Sequence, residues 1–432
     1  MDVFADLVIL IGLLIIGVPV PFCFMAAVLF MIAVHGYSFE FLLPISFYGL
    51  NSLPLLAVPF FIMAGGLMSS SGIAERLVNI ASALVGRIKG GLGGVTVVAC
   101  AIFGAVAGTC SAAVAAIGAI MIPRMEEEGF PRGHSTALVA CASVLGQLIP
   151  PSVPMILFGW VTRTSIAACF LATIGPGILL VVIYSFLNYM MCRRIPTIKV
   201  PPPGSLKKQV GELGRATYRG LFAIVAPVMI LGGIYGGYTT PTESATVAVL
   251  YTIPVGFLIY RRMTVRDLGR TLFSTATTTG VVILMLFFVM MLGRIYTMEN
   301  VPQRLIGMML GISENKYAVL LMVNVFLILI GMLMDDFSGT LLAAPLLFPL
   351  MKHIGIHPLH FAAIMGTNLG LGNVTPPCAP ILYLAGRIGN VRFDEMIKPA
   401  LIFMFVGCLP MVLVTTYWPD LSLFLPRLMG MA

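Results

Sequence analysis

The chain has 432 residues, 59% of them hydrophobic and only 10% charged, with a mean hydropathy of +1.03. Soluble domains run roughly 45–50% apolar and about 25% charged, so a chain with so few charges cannot cover a soluble surface. Apolar runs near the length of about 20 residues that a spanning helix needs recur, and alternating ten-residue strands do not, which predicts an all-α polytopic membrane protein and excludes an outer-membrane barrel. The net charge of +8 does not mark a nucleic-acid partner, because eleven of the 25 basic residues lie in 192–219 and 261–270. Clustered Lys and Arg of this kind mark cytoplasmic loops.

No Lys or Arg precedes Arg76, so no secretory signal is expected and the first apolar stretch is expected to stay and span. Residues 3–35 are apolar with a break at Gly17-Val-Pro-Val-Pro21, which admits one kinked helix or two short ones. Residues 1–51 form an N-terminal scaffold segment, and 52–70 read as a helix. In 72–89, Ile73, Leu77, Ile80, Leu84 and Ile88 make one stripe, with Glu75, Arg76, Asn79 and Arg87 off it. That pattern predicts an amphipathic helix lying at the membrane surface. Apolar stretches follow at 90–123, 135–165 and 167–191. The basic, Pro-rich 192–219 reads as a linker between halves. Residues 220–238 and 242–260 pair as two crossings that return the chain to the cytoplasm at 261–270. Residues 272–298 span again, and 302–315 is a second short mixed helix, with Pro302 suited to a first helical position. Last come 317–351, 358–388, 397–416 and a C-terminal tail, 417–432. The eight cysteines are scattered without a CxxC pair and read as small core residues.

The second half repeats the first. A gapless shift of 226 residues aligns Pro123, Gly129, His134, Gly146, Pro150, Pro151 and Pro154 with Pro349, Gly355, His360, Gly372, Pro376, Pro377 and Pro380. Four prolines in register are not what chance matching of apolar segments produces. The repeats are 52–191 and 272–416, with 192–271 between them as linker and scaffold pair. Each contains a long apolar stretch (90–123, 317–351) with a polar middle, and then a helix broken by Pro-Pro (135–165, 358–388). The arms beside each polar middle have about 15 residues, roughly 22 Å of helix against a hydrocarbon core of about 30 Å. They read as two re-entrant hairpins, the alternative being a solvated loop between ordinary helices. Counting crossings from the cytoplasmic linker makes the hairpins enter from opposite sides, so the repeats are inverted.

Inverted repeats with broken helices near the midplane point to a transporter. Unwound backbone in hydrocarbon is costly unless it lines a cavity or binds something. The candidate site is therefore built from the first tip (Gly108, Thr109, Cys110, Ser111), the first break (Pro150, Pro151, Ser152) and the second tip (Asp335, Asp336, Ser338, Gly339, Thr340). The second broken helix adds Asn368, Gly372, Asn373, Thr375 and Pro376. Prolines free upstream carbonyls, which with nearby hydroxyls suit a small hard cation such as Na+; half-helix N-termini suit a substrate carboxylate. Asp335 and Asp336 are the carboxylates deep inside an apolar run, where an unpaired charge is costly, so they read as cation ligands. His134 and His360 read as interfacial. Arg163 and Arg387 read as snorkelling at the membrane edge. No phosphate loop is present, so direct ATP coupling is not expected.

In Gly108-Thr-Cys-Ser-Ala-Ala-Val-Ala-Ala-Ile-Gly118, Ile149-Pro-Pro-Ser152, Gly331-Met-Leu-Met-Asp335 and Thr375-Pro-Pro377, the sequence resembles the large membrane subunit of tripartite ATP-independent periplasmic (TRAP) transporters. The resemblance covers essentially the whole chain. It implies Na+-coupled uptake of an organic acid across the bacterial inner membrane by an elevator motion. It also implies a periplasmic substrate-binding protein and a small four-helix membrane subunit as partners, with Na+ as coupling ion and no other cofactor. It places tip hydroxyls at Thr109 and Cys110, where the family usually has serine, the tip aspartate at Asp335, and the Pro-Pro-Ser hydroxyl at Ser152, opposite Cys378 in the second repeat. The Na+ ligands it implies are at Thr109, Ser152, Asp335 and Thr375. A stand-alone Na+/carboxylate carrier fits the helix pattern equally. An intramembrane aspartyl protease would need a Gly-x-Gly-Asp element and a second carboxylate on another helix, and neither is found in the sequence.

Overall fold

The computed structural model describes residues 2–85, 89–199, 206–376 and 378–432. The N-terminal stretch is two helices, α1 (Asp2–Ile16) and α2 (Val20–His35), because Pro19 and Pro21 cannot continue α1 and instead open α2. A third helix, α3 (Phe39–Leu50), follows with Ser38 as its cap. A short turn at Leu53–Leu56 leads into α4 (Ala57–Ser70), and together they are long and apolar enough to span. The amphipathic α5 (Ile73–Val85) is present over those residues; the remainder of its predicted stripe, including Arg87 and Ile88, lies outside the described ones.

The first hairpin is α6 (Gly91–Ala107) and α7 (Cys110–Glu127). Its broken helix is α8 (Arg132–Ala142), α9 (Leu145–Leu148) and α10 (Val153–Thr162), bent by 40° at Ile149–Ser152. Next come α11 (Ile166–Arg193), α12 (Leu206–Arg219), α13 (Leu221–Tyr235), α14 (Pro241–Pro254) and the 34-residue α15 (Val265–Met298). The linker is thus partly helical, with Pro201, Pro202 and Pro203 outside the described residues. Capping boxes of Thr240 with Glu243 and Thr264 with Asp267 start α14 and α15 by satisfying their first amides. The second half holds α16 (Val301–Ile312), the hairpin α17 (Lys316–Leu333) and α18 (Asp336–His353), and the broken helix α19 (Pro358–Val374) and α20 (Pro380–Gly389). Then α21 (Phe393–Ile402) and α22 (Leu409–Tyr417) run on as one 25-residue span, and α23 (Asp420–Leu428) makes the tail helical.

Hydrogen bonds show which ends lie together. Lys199 Nζ donates to the Glu127 carbonyl at 2.9 Å, Thr197 Oγ1 to Gly129 at 2.7 Å, and Asn188 Nδ2 to Gly90 at 3.0 Å. The base of the first hairpin is therefore beside the basic 192–199. Arg132 Nε donates to the Gly389 carbonyl at 2.7 Å, bringing the end of α20 to that same face. The second hairpin's base lies elsewhere: Lys316 Nζ meets the Gly355 carbonyl at 3.4 Å, and Tyr417 Oη meets Tyr317 at 3.2 Å. The span α21–α22 separates these two faces. His134 and His360 are buried rather than interfacial. His134 pairs with Asn188 Oδ1 at 3.1 Å and His360 with the Thr415 carbonyl at 2.8 Å, because each sits where its helix packs on a neighbour.

The outer faces of α1, α2 and α3 expose Phe4, Ile15, Phe22, Leu29 and Phe47, as a hydrocarbon solvent permits. Seven of the cysteines are buried, and Cys378 is exposed.

Candidate functional site

Each hairpin tip is a two-residue break closed by a capping side chain. Gly108 ends α6 with φ +67°, a conformation that favours glycine. Thr109 then caps α7, its Oγ1 accepting the Ala112 amide at 3.3 Å. In the second tip Asp335 caps α18 through Oδ1, which accepts the Ser338 amide at 3.2 Å and the Ser338 hydroxyl. The Ser338 hydroxyl also contacts Met285 Sδ of α15 at 2.8 Å, and Thr340 Oγ1 donates to the Asp336 carbonyl at 2.7 Å.

The tips press on the Pro-Pro breaks. The Val153 amide, freed at the start of α10, donates to the Gly108 carbonyl at 3.0 Å. A Cβ on Gly108 would lie 2.7 Å from the Pro151 carbonyl oxygen, and one on Gly146 would lie 2.7 Å from that of Thr109. On the second side a Cβ on Gly372 would lie 2.5 Å from Gly331 Cα, and one on Gly339 would lie 2.9 Å from Leu369 Cδ2. The backbones meet there because neither Gly331 nor Gly372 carries a side chain.

Several buried polar atoms around these contacts have no partner among the described residues: Ser152 Oγ, Asp336 Oδ2, and both Oδ1 and Nδ2 of Asn373. Buried polar atoms are nearly always paired, so such a group asks for an occupant. The Asp336 carboxylate leans across to the first tip, where the Cys110 backbone N–H faces it. By contrast, Thr375 spends its hydroxyl on the Leu371 carbonyl at 2.6 Å. Asn368, one turn before Gly372, is bonded through Nδ2 to Asn324 Oδ1 at 2.9 Å and to the Ile364 carbonyl at 2.7 Å, while its Oδ1 has no partner among the described residues. Pro376 is half-buried at the break, and Pro377 lies outside the described residues.

Ser111, Asp335, Asp336 and Asn373 line one cavity of about 520 Å³, closed by Pro380, Leu384 and Arg387 of α20 and by Thr278 of α15. A second, of about 580 Å³, holds Thr109, Ser111, Arg270, Ser274 and Thr278. The two share Ser111, Thr278, Phe337 and Leu384, so they form one groove with the tips on one wall and α15 on another. Sequence reasoning missed the α15 wall. The signal was Ser274-Thr-Ala-Thr-Thr-Thr-Gly280, a polar run inside an otherwise apolar helix.

Residues 7–420 match the family described as tripartite ATP-independent periplasmic transporter, DctM component. The chain belongs to that family. It is similar to the sialic acid TRAP transporter large permease protein of Vibrio cholerae, with 34% identity over 96% of each chain. It is also similar to the C4-dicarboxylate TRAP transporter large permease protein of Pseudomonas aeruginosa, with 34% identity over 88% of this chain and 87% of that one. The isethionate TRAP transporter permease of Oleidesulfovibrio alaskensis matches at 33% identity over 95% of this chain, which spans 64% of that longer protein. A solved structure of the Alcanivorax borkumensis YdaH transporter shares the fold, with a TM-score of 0.63, 14% identity and coverage of 87% of this chain and 86% of that one. As a DctM-family large membrane subunit, the protein is a multi-pass transporter component of the inner membrane and not an enzyme.

Proposed function

We propose that this DctM-family subunit carries out Na+-coupled uptake of an organic acid, delivered by a periplasmic binding protein and translocated by an elevator motion of the hairpin domain. A small membrane subunit braces the scaffold. The observation that carries this reading is the convergence of unpartnered buried polar atoms, Asp336 Oδ2 and the Asn373 amide, on a groove between the two tips. Ser152 Oγ, equally unpartnered, lies behind the first tip. A carboxylate at membrane depth is retained where it meets a cation, and freed carbonyls beside Pro-Pro breaks supply further oxygens. The opposite placement of the two hairpin bases supports an inverted repeat, and that symmetry suits alternating access. The named relatives carry sialic acid, C4-dicarboxylates or isethionate, so the substrate class proposed here is a small organic anion.

The test is uptake into vesicles reconstituted with all three components. An inward Na+ gradient should drive concentrative uptake of one acid from a panel of N-acetylneuraminate, succinate and isethionate. Substituting a proton gradient should abolish it. Undiminished uptake without Na+ overturns the coupling.

A further inference from the structure

The groove continues from the tips toward the basic face. Along α15, Thr278, Ser274 and Arg270 follow one another at intervals of four residues, about 6 Å of rise each, and all three line the groove. Thr278 sits at the waist shared by the two cavities, so the stripe starts at the tips. On α15, Thr277 bonds back to the Phe273 carbonyl and Thr297 to Gly293, which takes those hydroxyls out of use. Among the described residues, the hydroxyls of Ser274 and Thr278 make no such bond, and Arg270 has no carboxylate partner within ion-pair distance. Opposite them, α20 presents Pro380, Leu384 and Arg387 on one face of the groove. Arg387 also lacks an ion-pair partner among the described residues. It lies two residues before Gly389, whose carbonyl is held by Arg132 at the basic face. Arg387 lies in the cavity at the tips and Arg270 in the one that continues from it, with Asp267 one turn before Arg270 as the nearest acid on its own helix; two guanidinium groups along one groove, with free hydroxyls between, favour an anion.

We propose that Arg387 of α20, in the cavity at the tips, and Thr278, Ser274 and Arg270 of α15, along the cavity that continues from it, form an anion lane along which the released organic acid passes from the hairpin tips to the cytoplasmic face. This rests on the transport reading above. The lane gives the scaffold a share in handling the substrate, and it selects for negative charge after release from the tips.

The lane can be probed without knowing the substrate. Ser111, exposed at the waist of the groove, becomes the reporter as Ser111→Cys in a Cys378→Ser background. The probes are anionic sulfonatoethyl and cationic trimethylammonioethyl methanethiosulfonate, each rate normalised to a free thiol. The anionic reagent should react faster. Arg270→Gln or Arg387→Gln should lower the anion-to-cation ratio about two- to threefold, as expected for losing one charge at about 12 Å in water. Arg270→Lys and Arg387→Lys should keep the ratio, and added salt should lower it in the parent. Ratios unchanged by both Gln variants, in reporter protein that inserts in the membrane and labels, overturn the lane and leave the transport reading, tested with native Ser111, standing. Failure of the protein with native Ser111 to transport any acid overturns the transport reading instead, since labelling requires no turnover.

Discussion

The carboxylate of Asp336 faces the backbone N–H of Cys110, so one hairpin places its acid at the helix start of the other. These residues are 226 apart, the spacing of the internal repeat, and each is the first residue of its helix. The capping residues before them, Thr109 and Asp335, are equivalent as well. Asp335 spends its Oδ1 on its own helix, while Asp336 keeps a buried Oδ2 with no partner among the described residues. Asp336→Asn should raise the half-saturating Na+ concentration by roughly ten- to a hundredfold, the loss of a charge-assisted contact of about 1.5–3 kcal/mol. Asp335→Asn should be milder, because Asn caps a helix about as well as Asp. Sequence resemblance ranks the two in the other order, and Na+ titrations of uptake by both variants decide between them.

Ser152 presents a buried hydroxyl with no partner among the described residues. If it is a cation ligand, Na+ at a hundred times its Kd stabilises the parent by about 2.7 kcal/mol, and Ser152→Ala should lose part of that stabilisation. Without Na+ the variant should melt higher than the parent, since an unsatisfied buried hydroxyl costs about 1–3 kcal/mol. Thermal unfolding with and without Na+ reads both effects; equal Na+ shifts in parent and variant would remove Ser152 from the cation site.

The tips depend on glycine contacts. Gly146→Ala places a methyl 2.7 Å from the Thr109 carbonyl oxygen, and Gly372→Ala places one 2.5 Å from Gly331 Cα. Overpacking of this kind costs about 1–3 kcal/mol, and here it pushes a tip off its break. Both variants should insert in the membrane and lose most uptake. Gly12→Ala, with nothing within 4 Å, should transport as the parent does. Normal uptake by Gly146→Ala would show that the tip does not need its close seat.

Topology is open to labelling. In a background without Cys378, single cysteines at the exposed Arg194 and Glu314 should react with an impermeant reagent from opposite sides, Arg194 from the cytoplasm. Reaction of both from the periplasm contradicts the inverted arrangement.

The sequence by itself determined the all-helical membrane architecture, the two Pro-Pro breaks, the polar tips and the repeat. These follow from local causes: the length of apolar runs, the missing proline amide, and the conformational freedom of Gly108. It could not tell one helix from two at 3–35 or find a helix within the linker, because helix ends near Pro and Gly turn on packing as much as on pattern. Tertiary structure alone decided which acid crosses to the other tip. Asp335 and Asp336 are adjacent in sequence, but their side chains diverge because one caps α18 and the other begins it. It alone brought Arg270, Ser274 and Thr278 to the groove, because the faces of a long helix are assigned by what packs against them, and here those neighbours, from Ser111 to Phe337, lie far from them in the chain.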